Sequence, residues 1–347
     1  MKYKIVLLED RYDNHNPEKT VLGSIGCEVI EAGGITDPAE LEQLCRDADA
    51  LLVNLYKIDR NFISGLEKCA VIGRYGIGYD NVDVKYAAEK GIKVVNVPDY
   101  CSDEVSEHII ALLFSCVRNI TVKDTLIRKG KWNIRGEVPV HRVSGKKLGI
   151  IGYGKTGQAL HKKINSLGFS SVMVFDHHPE EKRALLSEIS GNGGPAYLCG
   201  LDDLLAECDF ISLNIPLTDE TRGMIGSREF MLMKNTAIII NTSRGAVIDT
   251  EAMIKALDAK QIAGAAVDVH EIEPLPPDSP LFSVKNIVLT DHAAWYSVES
   301  QADLQRKCAA AVLDVLSGRP CASIVNQDSA AAAAVNRRNN KDLSPVV

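Results

Sequence analysis

The sequence predicts an α/β protein made of two doubly wound parallel-sheet units. Three observations carry that expectation. Twelve short apolar runs alternate with segments of helical character, the order that builds parallel sheets through crossover helices. Several runs are apolar on both faces, as strands covered by helices on each side must be. The alternation stops at one long helical segment and then begins again, which gives two such units, the second larger.

In the first unit, strands are expected at residues 3–9, 27–31, 50–54, 70–75 and 93–97, with helices over 38–47 and 82–90. The long helix is expected over 104–118. Ser102 or Asp103 is its expected cap, because a short polar side chain there accepts from an otherwise unpaired N–H. In the second unit, strands are expected at 147–151, 171–175, 196–199, 210–215, 237–241, 263–269 and 287–290. An amphipathic helix over 297–318 closes the pattern at the stop signal Gly318-Arg319-Pro320. From Gln327 on, an alanine run followed by NRRNNKDLSPVV reads as a flexible tail.

Composition narrows the function classes. The 347 residues, 46% hydrophobic and 24% charged, describe an ordinary globular chain with enough length for two cores. A net charge of -7 argues against binding a phosphate backbone, which takes clustered Lys and Arg, and gives no attraction to anionic membranes. No signal peptide and no apolar stretch of membrane-spanning length is read in it. The nine cysteines are scattered without a C-x-x-C pair, so no metal site is expected and the reducing cytoplasm is the expected compartment.

The chemistry begins at Gly152-Tyr153-Gly154-Lys155-Thr156-Gly157. A G-x-G-x-x-G match alone is common. This one follows an apolar strand, opens a helical segment over 158–167, and precedes Asp176 at the end of the next strand, 19 residues after Gly157. That is the context of a dinucleotide site. Gly152 permits the tight turn, Gly154 lets a pyrophosphate approach the backbone, and Gly157 lets helix and strand pack closely. The helix N-terminus offers N–H groups and positive potential to phosphates. Asp176 would accept from ribose hydroxyls and repel a 2′-phosphate, which favours NAD over NADP. The neighbouring His177 and His178 weaken that discrimination.

Three more segments lie just past strands of the same unit, where open parallel sheets bind ligands. Asn241-Thr242-Ser243-Arg244-Gly245 carries an Arg that can hold a carboxylate through two parallel hydrogen bonds. The second is Asp268-Val269-His270-Glu271-Ile272-Glu273-Pro274, and the third is Asp291-His292-Ala293-Ala294-Trp295-Tyr296. A His is the natural proton donor and acceptor near neutral pH, and a paired carboxylate fixes its orientation. Taken singly, each reads as a solvated turn or a structural His; together on one nucleotide-binding sheet they read as a site.

In combination, NTSRGAVID, AAVDVHEIEP and TDHAAW with the glycine loop make the chain resemble the D-isomer-specific 2-hydroxyacid dehydrogenase family over residues 1–326. The resemblance implies catalytic roles for Arg244, Glu273 and His292. It implies cofactor contacts from Tyr153, Lys155, Thr156, Asn214, Pro216, Thr221, Thr242, Ser243 and Asp268 as well as the glycine loop, Arg244 and His292. A substrate carboxylate would be gripped by backbone N–H groups of Tyr75, Gly76, Ile77 and Gly78. The pieces RYGIGYDN, DVHEIEP and HAAWYS look most like the branch of the C-terminal-binding proteins, in which Arg74 and Trp295 would face the substrate. Two positions depart from the family: Asn214 where many members carry His, and Asp291 where many carry Pro.

The resemblance also implies an architecture. A flavodoxin-like substrate domain would comprise 1–101 and 296–326, and a Rossmann NAD domain 102–295 would be inserted in it, with the substrate cleft between them. A connecting helix and arm within 104–145 would make a homodimer. The expected activity is hydride exchange between NAD(H) and a small D-2-hydroxy or 2-oxo acid, with no nucleic-acid or membrane partner. Arg74 and Trp295 suit either a modest apolar or thioether side chain or a second anionic group. The alternative reading is an NAD(H)-sensing corepressor with little turnover.

Overall fold

The computed structural model describes residues 3–8, 11–132, 140–190 and 195–327. The tail after Gln327 and part of the expected arm lie outside the described residues. The chain divides into two compact units: Met1–Tyr100 with the chain from Ser297 on, and Cys101–Tyr296.

The first unit holds β1 (Lys4–Leu8), β2 (Glu28–Glu31), β3 (Ala50–Val53), β4 (Val71–Arg74) and β5 (Lys93–Val95), all parallel, in the order β2-β1-β3-β4-β5. Its core includes Val6, Leu51, Val53, Ile72 and Val94. The closing helix Val298–Leu316 belongs to this unit and starts at Ser297, whose hydroxyl accepts from the Ser300 N–H. It ends where Gly318 takes a left-handed turn, φ 68°. A polar cluster lies inside this unit. The Glu18 carboxylate is fully buried and accepts from the Tyr75 hydroxyl at 2.7 Å and the Gln305 amide at 3.1 Å. Burial pulls the Glu18 carboxyl up, but hydrogen bonds from His15, Tyr75 and Gln305 outweigh it and hold it below the usual carboxylate range.

The second unit holds β6 (Lys147–Ile151), β7 (Ser171–Phe175), β8 (Ala196–Leu198), β9 (Phe210–Leu213), β10 (Ile238–Asn241), β11 (Gly264–Val267) and β12 (Ile287–Leu289), parallel, in the order β12-β11-β10-β9-β6-β7-β8. β9, β10 and β11 are buried at every position, which accounts for their unbroken apolar sequence. The chain runs outward from β6 to β8, then returns to β9 on the other side. The β6/β9 boundary is therefore the switch point at which such sheets bind nucleotides.

Two helix starts differ from expectation. The long helix is Ser102–Arg118, with Cys101 as its N-terminal flank and no side-chain cap. Ser102 and Asp103 thus sit inside the first turn, where Asp103 and Glu104 complement the positive end of the helix dipole. The glycine-loop helix is Lys155–Ile164, three residues earlier than expected, with Gly154 at its N-terminal flank. Among the described residues, no single helix is long and apolar enough to cross a membrane.

Candidate active site

The glycine loop is built by contact. Gly152 has φ 91°, and a Cβ there would lie 2.4 Å from the Asn214 carbonyl oxygen, so the loops after β6 and β9 touch. A Cβ on Gly157 would lie 2.4 Å from the Gly152 carbonyl oxygen, which fixes the helix against the turn. Around Gly154 a Cβ would meet nothing within 4 Å, and the helix behind it has no side-chain cap. A bare approach to backbone N–H groups at a helix start is what a pyrophosphate needs. Asp176, past the end of β7, accepts from the Tyr153 N–H at 2.8 Å and the His178 N–H at 2.9 Å, one on each oxygen. Each carboxylate oxygen keeps a further lone pair for a ribose hydroxyl. These residues fit NAD.

The Tyr153 side chain cannot take part in that fit, because it points into the core, fully buried, with its hydroxyl 2.7 Å from His161 Nδ1. Only its main chain borders the loop. Burial pushes His161 down to about 4 from an ordinary 6.5. The unfolded chain therefore takes up a proton at His161 near pH 6.5 while the folded one does not. Stability from this site is full above pH 6.5 and falls as pH drops toward 4, by about 3 kcal/mol in total. Urea unfolding from pH 7 to 4.5 should show that slope, and His161→Phe should flatten it. An equal slope in the variant would remove His161 as its source.

After β9, the Asn214 amide donates to the Ser212 carbonyl at 3.2 Å. Thr221 is buried; its hydroxyl donates to the Pro216 carbonyl at 2.7 Å and accepts from the Thr218 N–H at 2.8 Å. The two threonines shape the loop that Pro216 opens.

The remaining residues of this unit rise from three adjacent strands. After β10, the buried Asn241 side chain accepts from the Ser243 N–H at 3.0 Å and donates to the Arg244 carbonyl at 2.9 Å. The amide thus staples the turn that carries Thr242, Ser243 and Arg244. The Arg244 guanidinium donates to the Ser243 carbonyl at 2.8 Å. After β11, Glu273 Oε1 accepts from the His270 N–H at 2.8 Å, and its Oε2 lies 2.7 Å from His292 Nδ1. The Glu273-Pro274 peptide is cis. Burial raises the Glu273 carboxyl, but the bonds from His292 and His270 outweigh it, so it stays below the ordinary carboxylate range. His292 and Glu273 keep 36% and 32% of their side-chain surface exposed, enough for a small molecule to reach them.

His292 itself is left-handed, φ 58°, a conformation that costs a non-glycine residue about 1 kcal/mol. The surroundings impose it. The His292 N–H donates to the Asp268 carbonyl at 2.7 Å, and the Ala293 and Ala294 N–H groups donate to the Asp268 carboxylate, both at 2.9 Å. Asp268, expected at the cofactor, therefore also anchors the turn that holds His292. Trp295 packs edge-on against Tyr296, with ring centroids 5.6 Å apart.

In the other unit, Tyr75 is 1% exposed, spends its hydroxyl on Glu18, and donates its N–H to the Val53 carbonyl at 2.8 Å. The Tyr75 N–H, expected to grip a substrate carboxylate, is instead committed to the neighbouring strand, which corrects that expectation. The Arg74 guanidinium donates to the Tyr75 carbonyl at 2.6 Å and lies over Gly76, whose φ is 132°. Ile77 is 39% exposed, and its carbonyl accepts from the Asn96 amide at 2.7 Å, which braces the stretch leading into Gly78. Sequence reasoning did not single out Asn241, His270, Thr290 or His108 as parts of this machinery. Asn241, His270 and Thr290 lay inside motifs already quoted, whereas nothing in the sequence flagged His108.

The NAD-binding-domain model of the D-isomer specific 2-hydroxyacid dehydrogenases matches residues 110–294. The chain belongs to that family. It is therefore an NAD-dependent 2-hydroxyacid dehydrogenase. A glyoxylate reductase of Korarchaeum cryptofilum is 36% identical over 287 residues, covering 82% of this dehydrogenase and 84% of the relative. One from Thermococcus litoralis is 38% identical over 291 residues, 82% of this chain and 85% of the other. The solved glyoxylate reductase of Paecilomyes thermophila superposes with TM-score 0.81 at 25% identity, covering 94% and 99% of the two chains. These names place the dehydrogenase beside glyoxylate reductases and do not carry the finer resemblance to the C-terminal-binding-protein branch.

Proposed function

We propose that this dehydrogenase is a D-stereospecific reductase of small 2-oxo acids, with glyoxylate as the first candidate substrate. The observation that carries the proposal is the contact of His292 with Glu273, exposed at the carboxyl ends of the same sheet that bears the glycine loop. When bound, NADH supplies the hydride that reduces the 2-oxo carbon. Arg244 binds the substrate carboxylate and polarises the carbonyl. His292 donates Nδ1–H to Glu273, which leaves Nε2 to carry the proton given to the developing alkoxide. Glu273 keeps the ring oriented and offsets the positive charge on it. In the oxidising direction the same nitrogen takes the proton back.

Oxidation of NADH followed over a panel of 2-oxo acids with hydrogen, apolar, thioether and anionic side chains tests the reading. Rapid turnover with the smallest acids supports it. Tight NADH binding with negligible turnover across the panel would overturn it in favour of a sensor. The reading includes a homodimer. The helix Ile120–Arg128 buries none of its residues, and Ile120, Val122, Ile127 and the adjacent Trp132 are more than half exposed, an apolar face suited to a second copy. Light scattering should give twice the 37.8 kDa chain mass; a monomer at working concentration would remove this part.

A further inference from the structure

The Asp268 carboxylate is fully buried, and among the described residues no Lys or Arg pairs with it. Oδ1 accepts from the Thr290 hydroxyl at 2.6 Å and from the Ala293 N–H; Oδ2 accepts from the Ala294 N–H. Behind Thr290 stands His108, on the helix Ser102–Arg118, with Nε2 3.2 Å from the Thr290 hydroxyl and 3.5 Å from Asp268 Oδ1. The protons in this row are determined by elimination. A hydroxyl has one hydrogen, and a carboxylate only accepts. Thr290 therefore gives its hydrogen to Asp268 and turns a lone pair toward His108, so His108 Nε2 must carry the N–H.

We infer that His108 is a positioning residue for His292, acting through Thr290 and Asp268. The row runs from His108 Nε2–H to the Thr290 hydroxyl, then to the Asp268 carboxylate, then to the N–H groups of Ala293 and Ala294. Those two N–H groups follow directly on the left-handed residue whose ring meets Glu273. A buried carboxylate holds fixed donors in place only while its own charge is compensated, and His108 supplies the outermost donor. His270 braces the same strand end from the other side, with Nε2 2.9 Å from the Thr290 carbonyl. His108 makes no hydrogen bond to His292 or Glu273, so its effect on the ring passes through this row.

The size of the rate effect rests on the reading of His292 as proton donor; the coupling of His108 to the His292 turn does not. His108→Leu and Thr290→Val should each lower kcat about tenfold, with NADH affinity and KM for the 2-oxo acid unchanged. The double variant should be no worse than either alone, since both break one row. His108→Gln, which returns an N–H near the Nε2 position, and Thr290→Ser, which keeps the hydroxyl, should recover most of the rate. Parent kcat in His108→Leu, additive losses, or a Gln variant as slow as the Leu variant would overturn the inference. Histidine-labelled protein gives an independent readout. The His292 ring resonances should move in both His108→Leu and Thr290→Val, and the same resonances left at parent positions would overturn the coupling. If the resonances move while His292→Ala retains turnover, the proposed chemistry fails and the coupling stands.

Discussion

His292→Ala should lower the rate of 2-oxo acid reduction by about a hundred- to ten-thousandfold, the range general acid catalysis supplies. The argument is geometric. His292 is the residue whose ring meets Glu273, and its turn is held by three bonds to Asp268. Alanine removes the proton donor, yet the Asp268 bonds are to main-chain N–H groups that alanine retains. The glycine loop rises from β6, with three strands between it and β12, so NADH should still titrate at close to the parent affinity. A fluorescence titration of NADH beside steady-state rates separates the two effects. Near-parent turnover in the variant would remove His292 from the chemistry. Lost NADH binding would instead assign the residue to the cofactor.

The second large effect is expected at Gly245. A Cβ there would lie 2.0 Å from the His270 carbonyl carbon, 2.2 Å from its oxygen and 2.4 Å from the Glu271 nitrogen. All three are backbone atoms, so no side chain can swing aside. Gly245→Ala must push apart the turn bearing Arg244 and the segment bearing Asp268 and Glu273. A loss of at least about 3 kcal/mol of stability is expected, together with most of the activity. Urea midpoints and turnover measured on the same preparation check it. A variant with parent midpoint and parent rate would show that the two segments are not in contact.

Much of the fold was legible because its strands are short, parallel and covered on both faces. Each expected strand is present, and the differences lie at the ends. The run 210–215 stops pairing at Leu213 because Asn214 and Ile215 already turn into the loop against Gly152. Short helices such as Arg60–Ser64 and Leu201–Glu207 were not singled out, since five to seven residues give too little periodicity to read. The motif residues could be found because each chemical type stands at a strand end. Their supports could not. His108 and Thr290 are 182 positions apart and meet only because a helix crosses the ends of two neighbouring strands. Tyr75 shows the reverse case: its N–H was expected at a substrate carboxylate, whereas that N–H is committed to Val53 and its hydroxyl to a carboxylate 57 positions away.

That carboxylate bears on how the chain comes off the ribosome. Glu18 precedes its donor Gln305 by 287 positions, and the β5 edge is tied at Val94 and Ile92 by Asn326. The unit that holds Glu18 therefore stays unfinished, with a charge awaiting its partners, until Gln305 has been synthesised. The unit from Cys101 to Tyr296 is contiguous and has all its strands as soon as β12 emerges. Synthesis thus favours the nucleotide-binding unit folding first, with residues 1–100 held in waiting for the helix Val298–Leu316.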